Sequence, residues 1–304
     1  MTFRTETLDF ALIGGYRRAL DFLELTKPRV TLMVLVTTFV GFYLGSDSMP
    51  DYFRLIETLI GTALAAGGTL ALNQFLERDG DAIMLRTCHR PLPDGRIQPT
   101  EALIFGVLLT AIGLFILGLK IDALSALVTG FIVGSYLFIY TPLKRRSPFC
   151  AVVGAVPGAL PPVIGWAAAR GEINVEAWVL FAILFLWQIP HTLAIAHLYR
   201  EDFAKAGIRF LPVVEPDGES TGRQVTGHCL ALLSVSLLPT LLGLAGSLYF
   251  LFAFLLGAGF SVYGVRLAVS QSLVAARRLL FASLIYLPVL LLVMALDRVP
   301  MLTG

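Results

Sequence analysis

The sequence predicts an all-α, polytopic membrane protein built from nine transmembrane helices, and three observations carry that prediction. Of its 304 residues 57% are hydrophobic and only 14% charged, with a mean hydropathy of +0.80, whereas soluble domains carry about 25% charged residues. Apolar runs long enough to cross a bilayer recur from end to end. The basic residues between those runs are strongly one-sided.

The runs fall at residues 28–45, 55–76, 100–118, 122–140, 150–168, 175–198, 226–246, 248–268 and 279–296. The second leads directly into a cluster of acidic and basic residues, and the fourth closes on Tyr140-Thr141-Pro142-Leu143-Lys144-Arg145-Arg146. Pro157, Pro161 and Pro162, with Gly154, Gly158 and Gly165, make the fifth run irregular. Non-helical backbone at membrane depth must be buried or line a cavity, so this helix is expected to shape a chamber. The sixth carries Pro190, and the seventh and eighth share almost no loop. With the N-terminus in the cytoplasm, 19 of the 23 Lys and Arg residues lie on the cytoplasmic side, leaving Arg54, Lys120, Arg170 and Arg298 opposite. One helix more or fewer would scramble this positive-inside bias. The count, a cytoplasmic N-terminus and an external C-terminus are therefore read together.

Residues 1–26 mix Arg4, Arg17 and Arg18 with Glu6, Asp9, Asp21 and Glu24. They read as a cytoplasmic segment, not as a cleavable signal or an Arg-rich, acid-poor transit peptide. With no low-complexity linker, residues 1–304 read as a single membrane-embedded domain. Cys88, Cys150 and Cys229 are scattered and predict neither disulfides nor a zinc site. A net charge of +2 gives no reason to expect a nucleic-acid partner.

The most informative stretch is Asn73 to Ile97. Asn73, Glu77 and Asp81 are spaced i, i+4, i+8 and fall within an arc of roughly 80° on one helix face. Acidic residues at the mouth of a membrane helix are costly to keep there and mark a functional site. A one-faced ladder of oxygen donors suits a hard cation such as Mg²⁺. Arg86 and Arg90 just beyond it suit the phosphates such a cation would bridge. Asp79 lies about 200° from Glu77 and joins the ladder only if Gly80 breaks the helix. The alternative is a solvated helix end, with Glu77 and Asp81 paired to Arg78 and Arg86.

Lys144-Arg145-Arg146 reads either as a snorkelling, topology-setting cluster or as a phosphate clamp opposite the ladder. After the sixth run, Asp202 is a candidate site residue beside a Glu201–Lys205 pair at i, i+4 spacing. Pro190 frees backbone carbonyls near a cavity, which makes His191 a site candidate. His197 is about 240° from it around the helix and cannot share a metal with it.

These residues resemble the UbiA superfamily of intramembrane prenyltransferases. Asn73, Glu77 and Asp81 match its first aspartate-rich motif, N-D-x-x-D-x-x-x-D, with Gln74 and Glu77 departing from its acidic positions. Residues 73–97, 140–148, 153–166, 187–191, 202–214, 221–224 and 286–288 are similar to the superfamily's heme-specific branch and together span nearly the whole chain. Where the second motif is D-x-x-x-D, Tyr199 and Phe203 stand here, as in that branch.

The resemblance implies a catalytic set of Asn73, Glu77, Asp81 and His191. It implies Mg²⁺ on Asn73, Glu77 and Asp81, with Asp79 and Asp202 as further ligand candidates. Arg86, Arg90, Lys144 and Arg145 would hold the diphosphate. The implied reaction is transfer of a farnesyl group from farnesyl diphosphate to a vinyl group of heme B, giving heme O for heme-copper oxidase assembly. The implied setting is the bilayer of a bacterial inner membrane, with the site facing the cytoplasm and a heme A synthase or oxidase assembly factors as neighbours. Two alternatives stay open. One is a superfamily member acting on a quinone or other aromatic precursor. The other is an organic-anion transporter, against which the cluster's place at a helix end, not at the midplane, is the discriminator.

Overall fold

The computed structural model describes residues 15–47, 49–215 and 217–299; Arg4, Glu6 and Asp9 of the N-terminal segment lie outside the described residues. Among the described residues nine helices are long and apolar enough to cross a membrane. They are α1 Pro28–Gly45, α2 Tyr52–Asp81, α3 Pro99–Ile121, α4 Ala123–Leu143, α5 Cys150–Arg170, α6 Val175–Leu198, α7 Glu219–Leu241, α8 Ser247–Ser270 and α9 Leu273–Leu296. A further helical segment, 15–25, precedes α1.

The first and sixth helices coincide with their apolar runs, and three others differ for physical reasons. At 30 residues α2 is about 45 Å long, against a hydrocarbon core of about 30 Å. Its last turns therefore project past the bilayer core and carry the acidic ladder into the interface. The Asp51 side chain caps its start by accepting from Phe53 N and Arg54 N at 3.1 Å each. Helix α7 begins at Glu219 instead of 226. Thr221, Gly222 and Val225 are buried, and Gly222 lies against Ala268 of α8, so packing recruits a polar stretch that hydropathy alone assigns to a loop. Helix α9 begins at Leu273, capped by Ser272 accepting from Ala275 N, which places Arg277 and Arg278 within the helix.

Helix α1 packs on the second half of α5, α2 on α3, the first half of α5 on α6, and α6 on both α7 and α9, with α8 against α7 and α9. The closest approaches use small residues. A Cβ on Gly165 of α5 would fall 1.9 Å from Thr38 O of α1, and one on Gly68 of α2 would fall 2.6 Å from Gly106 O of α3.

Two helices are irregular where the interior opens. Helix α5 breaks at Leu160, because Pro161 and Pro162 have no N–H to continue the ladder. Helix α4 widens into a π-turn at Ser135–Tyr140, where Thr141 donates both N–H and Oγ1–H to Tyr136 O. At the opposite end of the bundle from the ladder the sparse basic residues are all engaged. Arg54 donates to Ala168 O (2.6 Å) and Ile121 O (3.1 Å), Lys120 pairs with Glu57, Arg170 pairs with Asp47, and Arg298 lies over the Tyr43 ring.

Candidate active site

A cavity of about 540 Å³ opens at the centre of the bundle, lined by α1, α2, α4, α5, α6 and α9. That volume is in the range of small-molecule sites. Its walls are chiefly aliphatic, with Tyr136, Tyr140, Gln188 and His191 as polar handles and Arg29 at its edge. A second pocket, about 420 Å³, is lined by Glu77, Gly80, Asp81, Thr141, Lys144, Arg145 and Arg146. Tyr140 and Lys144 form the seam between the two. Lys144 Nζ sits 4.5 Å from the centre of the Tyr140 ring, which faces the apolar cavity.

The polar pocket is built by α2 and the end of α4. Lys144 Nζ donates to both carboxylate oxygens of Glu77, at 2.7 and 3.0 Å. One turn further along α2, Asp81 accepts from Arg90 Nη1 at 2.5 Å while its own backbone carbonyl accepts from Thr87 Oγ1. One turn earlier, buried Asn73 accepts from Lys27 Nζ at 3.0 Å and donates to Thr141 Oγ1 at 3.2 Å. The loop after α6 pins this arrangement, since Arg209 N donates to Lys144 O at 2.7 Å. Arg96 fastens the other side by pairing with Asp21, Glu24 and Asp94.

Electrostatics follow from the crowding of cations. Burial, reinforced by Arg90, pushes the Lys27 ammonium down to about 7, against the pull of Glu77. Burial alone would also lower Lys144, but Tyr140 and Glu77 outweigh it and hold that ammonium above its ordinary value. Arg145 and Arg146 line the same pocket with no ion-pair partner among the described residues. The surplus positive charge suits a polyanion.

The donor set also suits Mg²⁺. Every oxygen on the ladder is a hard donor, and each faces a cationic side chain: Lys27 on Asn73, Lys144 on Glu77, Arg90 on Asp81. Among the described residues no three His, Cys, Asp or Glu side chains cluster. A metal here would rest on two carboxylates and an amide, with phosphate oxygens completing its shell, which is how Mg²⁺ is commonly held.

Not every candidate joins the site. Helix α2 runs unbroken through Gly80 to Asp81, so the break that would turn Asp79 inward is absent. Asp79 stands exposed and pairs with Arg78 at 3.7 Å. Gly80 serves close approach instead: a Cβ there would lie 2.7 Å from Arg145 Nη2. Arg86 does not bind the ladder; its guanidinium lies over the rings of Tyr199 (5.3 Å) and Phe203 (5.4 Å), where it feels the charges of Arg90, Asp81 and Asp202. Asp202 is half-buried on the short helix Arg200–Lys205 and makes no ion pair among the described residues. His191 lies in the apolar cavity, whereas His197 faces Gln271 O at 3.0 Å. Sequence reasoning missed Lys27 and Arg29 as site residues. Their sign at the entry of α1 was visible, but it was absorbed into the topology count.

Fold and site together define an intramembrane prenyltransferase: the chain matches the UbiA prenyltransferase family over residues 34–285 and belongs to it. It is 50% identical over 287 residues to the protoheme IX farnesyltransferase of Solibacter usitatus, covering 91% of this chain and 98% of that protein. It is 44% identical to the protein of the same name from Koribacter versatilis, covering 91% and 93%. In fold it is similar to a digeranylgeranylglyceryl phosphate synthase (TM-score 0.79, 18% identity, 92% and 98% covered). It is also similar to a UbiA homologue from Archaeoglobus fulgidus solved with GPP and Mg²⁺ (TM-score 0.62, 17% identity, 90% and 99% covered).

Proposed function

We propose that this protein transfers a farnesyl group from farnesyl diphosphate to a vinyl group of heme B, forming heme O for heme-copper oxidase assembly. The observation that carries the acceptor is the 50% identity, over nearly the full length of both chains, to a protoheme IX farnesyltransferase. The apposition of a cationic, oxygen-lined pocket and a large apolar cavity supports the same chemistry. The first suits a diphosphate and the second suits an isoprenoid and a porphyrin.

In this reading Asn73, Glu77 and Asp81 would hold Mg²⁺, which would supply charge neutralisation to the leaving diphosphate. Lys144, Arg145 and Arg90 form the preorganised clamp on the same group, with Arg86 held nearby by Tyr199 and Phe203. Breaking the allylic C–O bond releases diphosphate into that clamp. The aliphatic walls and the Tyr136 and Tyr140 rings shield the allylic cation from water. The heme vinyl attacks it, forming a C–C bond and leaving a cation beside the porphyrin ring. Water adds there and loses a proton, giving a hydroxyl. His191, in the cavity wall, contacts the porphyrin. The one-sided basic residues support a cytoplasmic N-terminus and a polar pocket on the cytoplasmic face of a bacterial inner membrane.

Membranes containing the protein, supplied with heme B, farnesyl diphosphate and Mg²⁺, should yield a heme heavier by one farnesyl and one hydroxyl group. Unchanged heme alongside prenylation of an aromatic acid such as 4-hydroxybenzoate would overturn the acceptor.

A further inference from the structure

The His191 ring is held by two contacts, a stacked indole and a buried hydroxyl. Trp187, one turn earlier on α6, stacks on it with centroids 4.9 Å apart and planes inclined by 22°. Trp187 Nε1 in turn donates to Ser283 O of α9 at 2.9 Å. His191 Nδ1 lies 2.7 Å from Ser283 Oγ. Ser283 is fully buried, and its Oγ also lies 2.6 Å from Leu280 O. A carbonyl oxygen cannot donate, so the single hydroxyl proton must lie between Oγ and Leu280 O. Toward His191 the hydroxyl is then an acceptor, and Nδ1 must carry the ring proton. Nε2 is left as the unprotonated nitrogen. It makes no hydrogen bond among the described residues, although the ring is half-exposed in the wall of the 540 Å³ cavity.

We propose that Ser283 fixes His191 in its Nδ1–H tautomer, so that Nε2 serves as an axial ligand to the iron of the porphyrin acceptor. The inference rests on heme B being that acceptor. Proteins commonly prepare a metal-binding imidazole in this way, with the second ring nitrogen anchored by an acceptor and the ligating one left bare. Two helices share the work: α6 supplies the ring and its stacking partner, and α9 supplies the anchor. Iron ligation would set the porphyrin's position along the cavity and hold the reacting vinyl at a fixed depth beneath the polar pocket. In this role Ser283 is a positioning residue, acting only through His191.

Full-length protein in detergent, titrated with ferrous heme B and with metal-free protoporphyrin IX, separates this from simple packing. Wild type should show the iron–histidine stretching band in resonance Raman spectra. His191→Ala should lose it and regain a ligated spectrum on addition of imidazole. Ser283→Ala should keep the band at lowered frequency, because the Nδ1–H bond that raises the basicity of the ring is gone, and should bind heme about 10-fold more weakly. Ser283→Ala should not change affinity for the metal-free porphyrin, which offers no iron to ligate. An unaltered iron–histidine band in His191→Ala, in protein that still farnesylates heme B, would overturn the ligand assignment and leave the proposed function standing. Wild type that neither binds nor farnesylates heme B would overturn the acceptor itself.

Discussion

Lys144 Nζ bridges both carboxylate oxygens of Glu77, at 2.7 and 3.0 Å, across the boundary between α4 and α2. The two side chains are 12% and 19% exposed, so the pair is largely withdrawn from solvent screening. Removing one partner strands the other, which makes substitutions here informative only in pairs. Lys144→Met should weaken prenyl diphosphate binding and lower thermal stability, and Lys144→Met with Glu77→Gln should recover much of the stability but no turnover. Recovery of turnover in the double variant would show the pair to be structural alone.

The stacking of Arg86 on Tyr199 and Phe203 gives a second prediction. At the positions where the superfamily's second motif carries acids, these rings support a cation. Tyr199 is 42% exposed and tolerates change better than buried Phe203. Loss of one such contact amounts to about 1 kcal/mol, so Tyr199→Leu should weaken farnesyl diphosphate binding by about 5-fold with an unchanged melting temperature. Binding equal to wild type would separate Arg86 from the diphosphate.

The nine spans and the one-faced ladder could be read from sequence because both rest on local periodicity: run length for the spans, a straight helix for Asn73, Glu77 and Asp81. The ladder's partners could not. The alternative of a solvated helix end paired Glu77 and Asp81 with Arg78 and Arg86, whereas Glu77 takes Lys144 and Asp81 takes Arg90. Arg78 faces outward onto Asp79 and Phe75. Beyond Asp81 the chain turns, with Thr87 N and Cys88 N both donating to Met84 O, so helical spacing no longer predicts which arginine returns. Ser283 gave no signal at all. A single hydroxyl in an apolar helix has no pattern, and its role depends on a neighbour 92 positions away.

Two glycines of α5 should behave oppositely. A Cβ on Gly165 would meet the backbone of α1, Thr38 O at 1.9 Å and Phe42 N at 2.6 Å. Neither can move without separating the helices, so Gly165→Ala should destabilise the fold by about 1–3 kcal/mol, read as a lowered melting temperature. A Cβ on Gly158 would meet the end of the Gln188 side chain at 2.1 Å. That amide can swing away, so Gly158→Ala should leave stability near wild type and raise the KM for the porphyrin by narrowing the cavity. Equal melting temperatures for the two variants would refute the backbone-contact argument.

Orientation is testable by labelling. In a Cys88→Ser background, Glu172→Cys should react with an impermeant thiol reagent added to intact cells, and Asp94→Cys should react only after permeabilisation. Both positions are exposed enough to react, with side chains 66% and 48% accessible. The reverse pattern would place the polar pocket on the outer face and remove the basis for a cytoplasmic site.

The ladder itself gives the sharpest test, because neighbouring residues should differ in effect. Losing an outer partner of a metal ligand already costs about 10- to 100-fold, so Asp81→Asn and Glu77→Gln should each lower kcat/KM by about 100-fold or more. Asn at 81 keeps an oxygen for Arg90, so its melting temperature should change little, and raising the Mg²⁺ concentration should recover part of the lost rate. Asp79→Asn, on the exposed side of an unbroken helix, should stay within about 2-fold of wild type, since isolated surface ion pairs contribute little. Comparable losses at 79 and 81 would mean that Gly80 opens the helix during turnover. Near-normal activity of Asp81→Asn at low Mg²⁺ would remove Asp81 from the metal site.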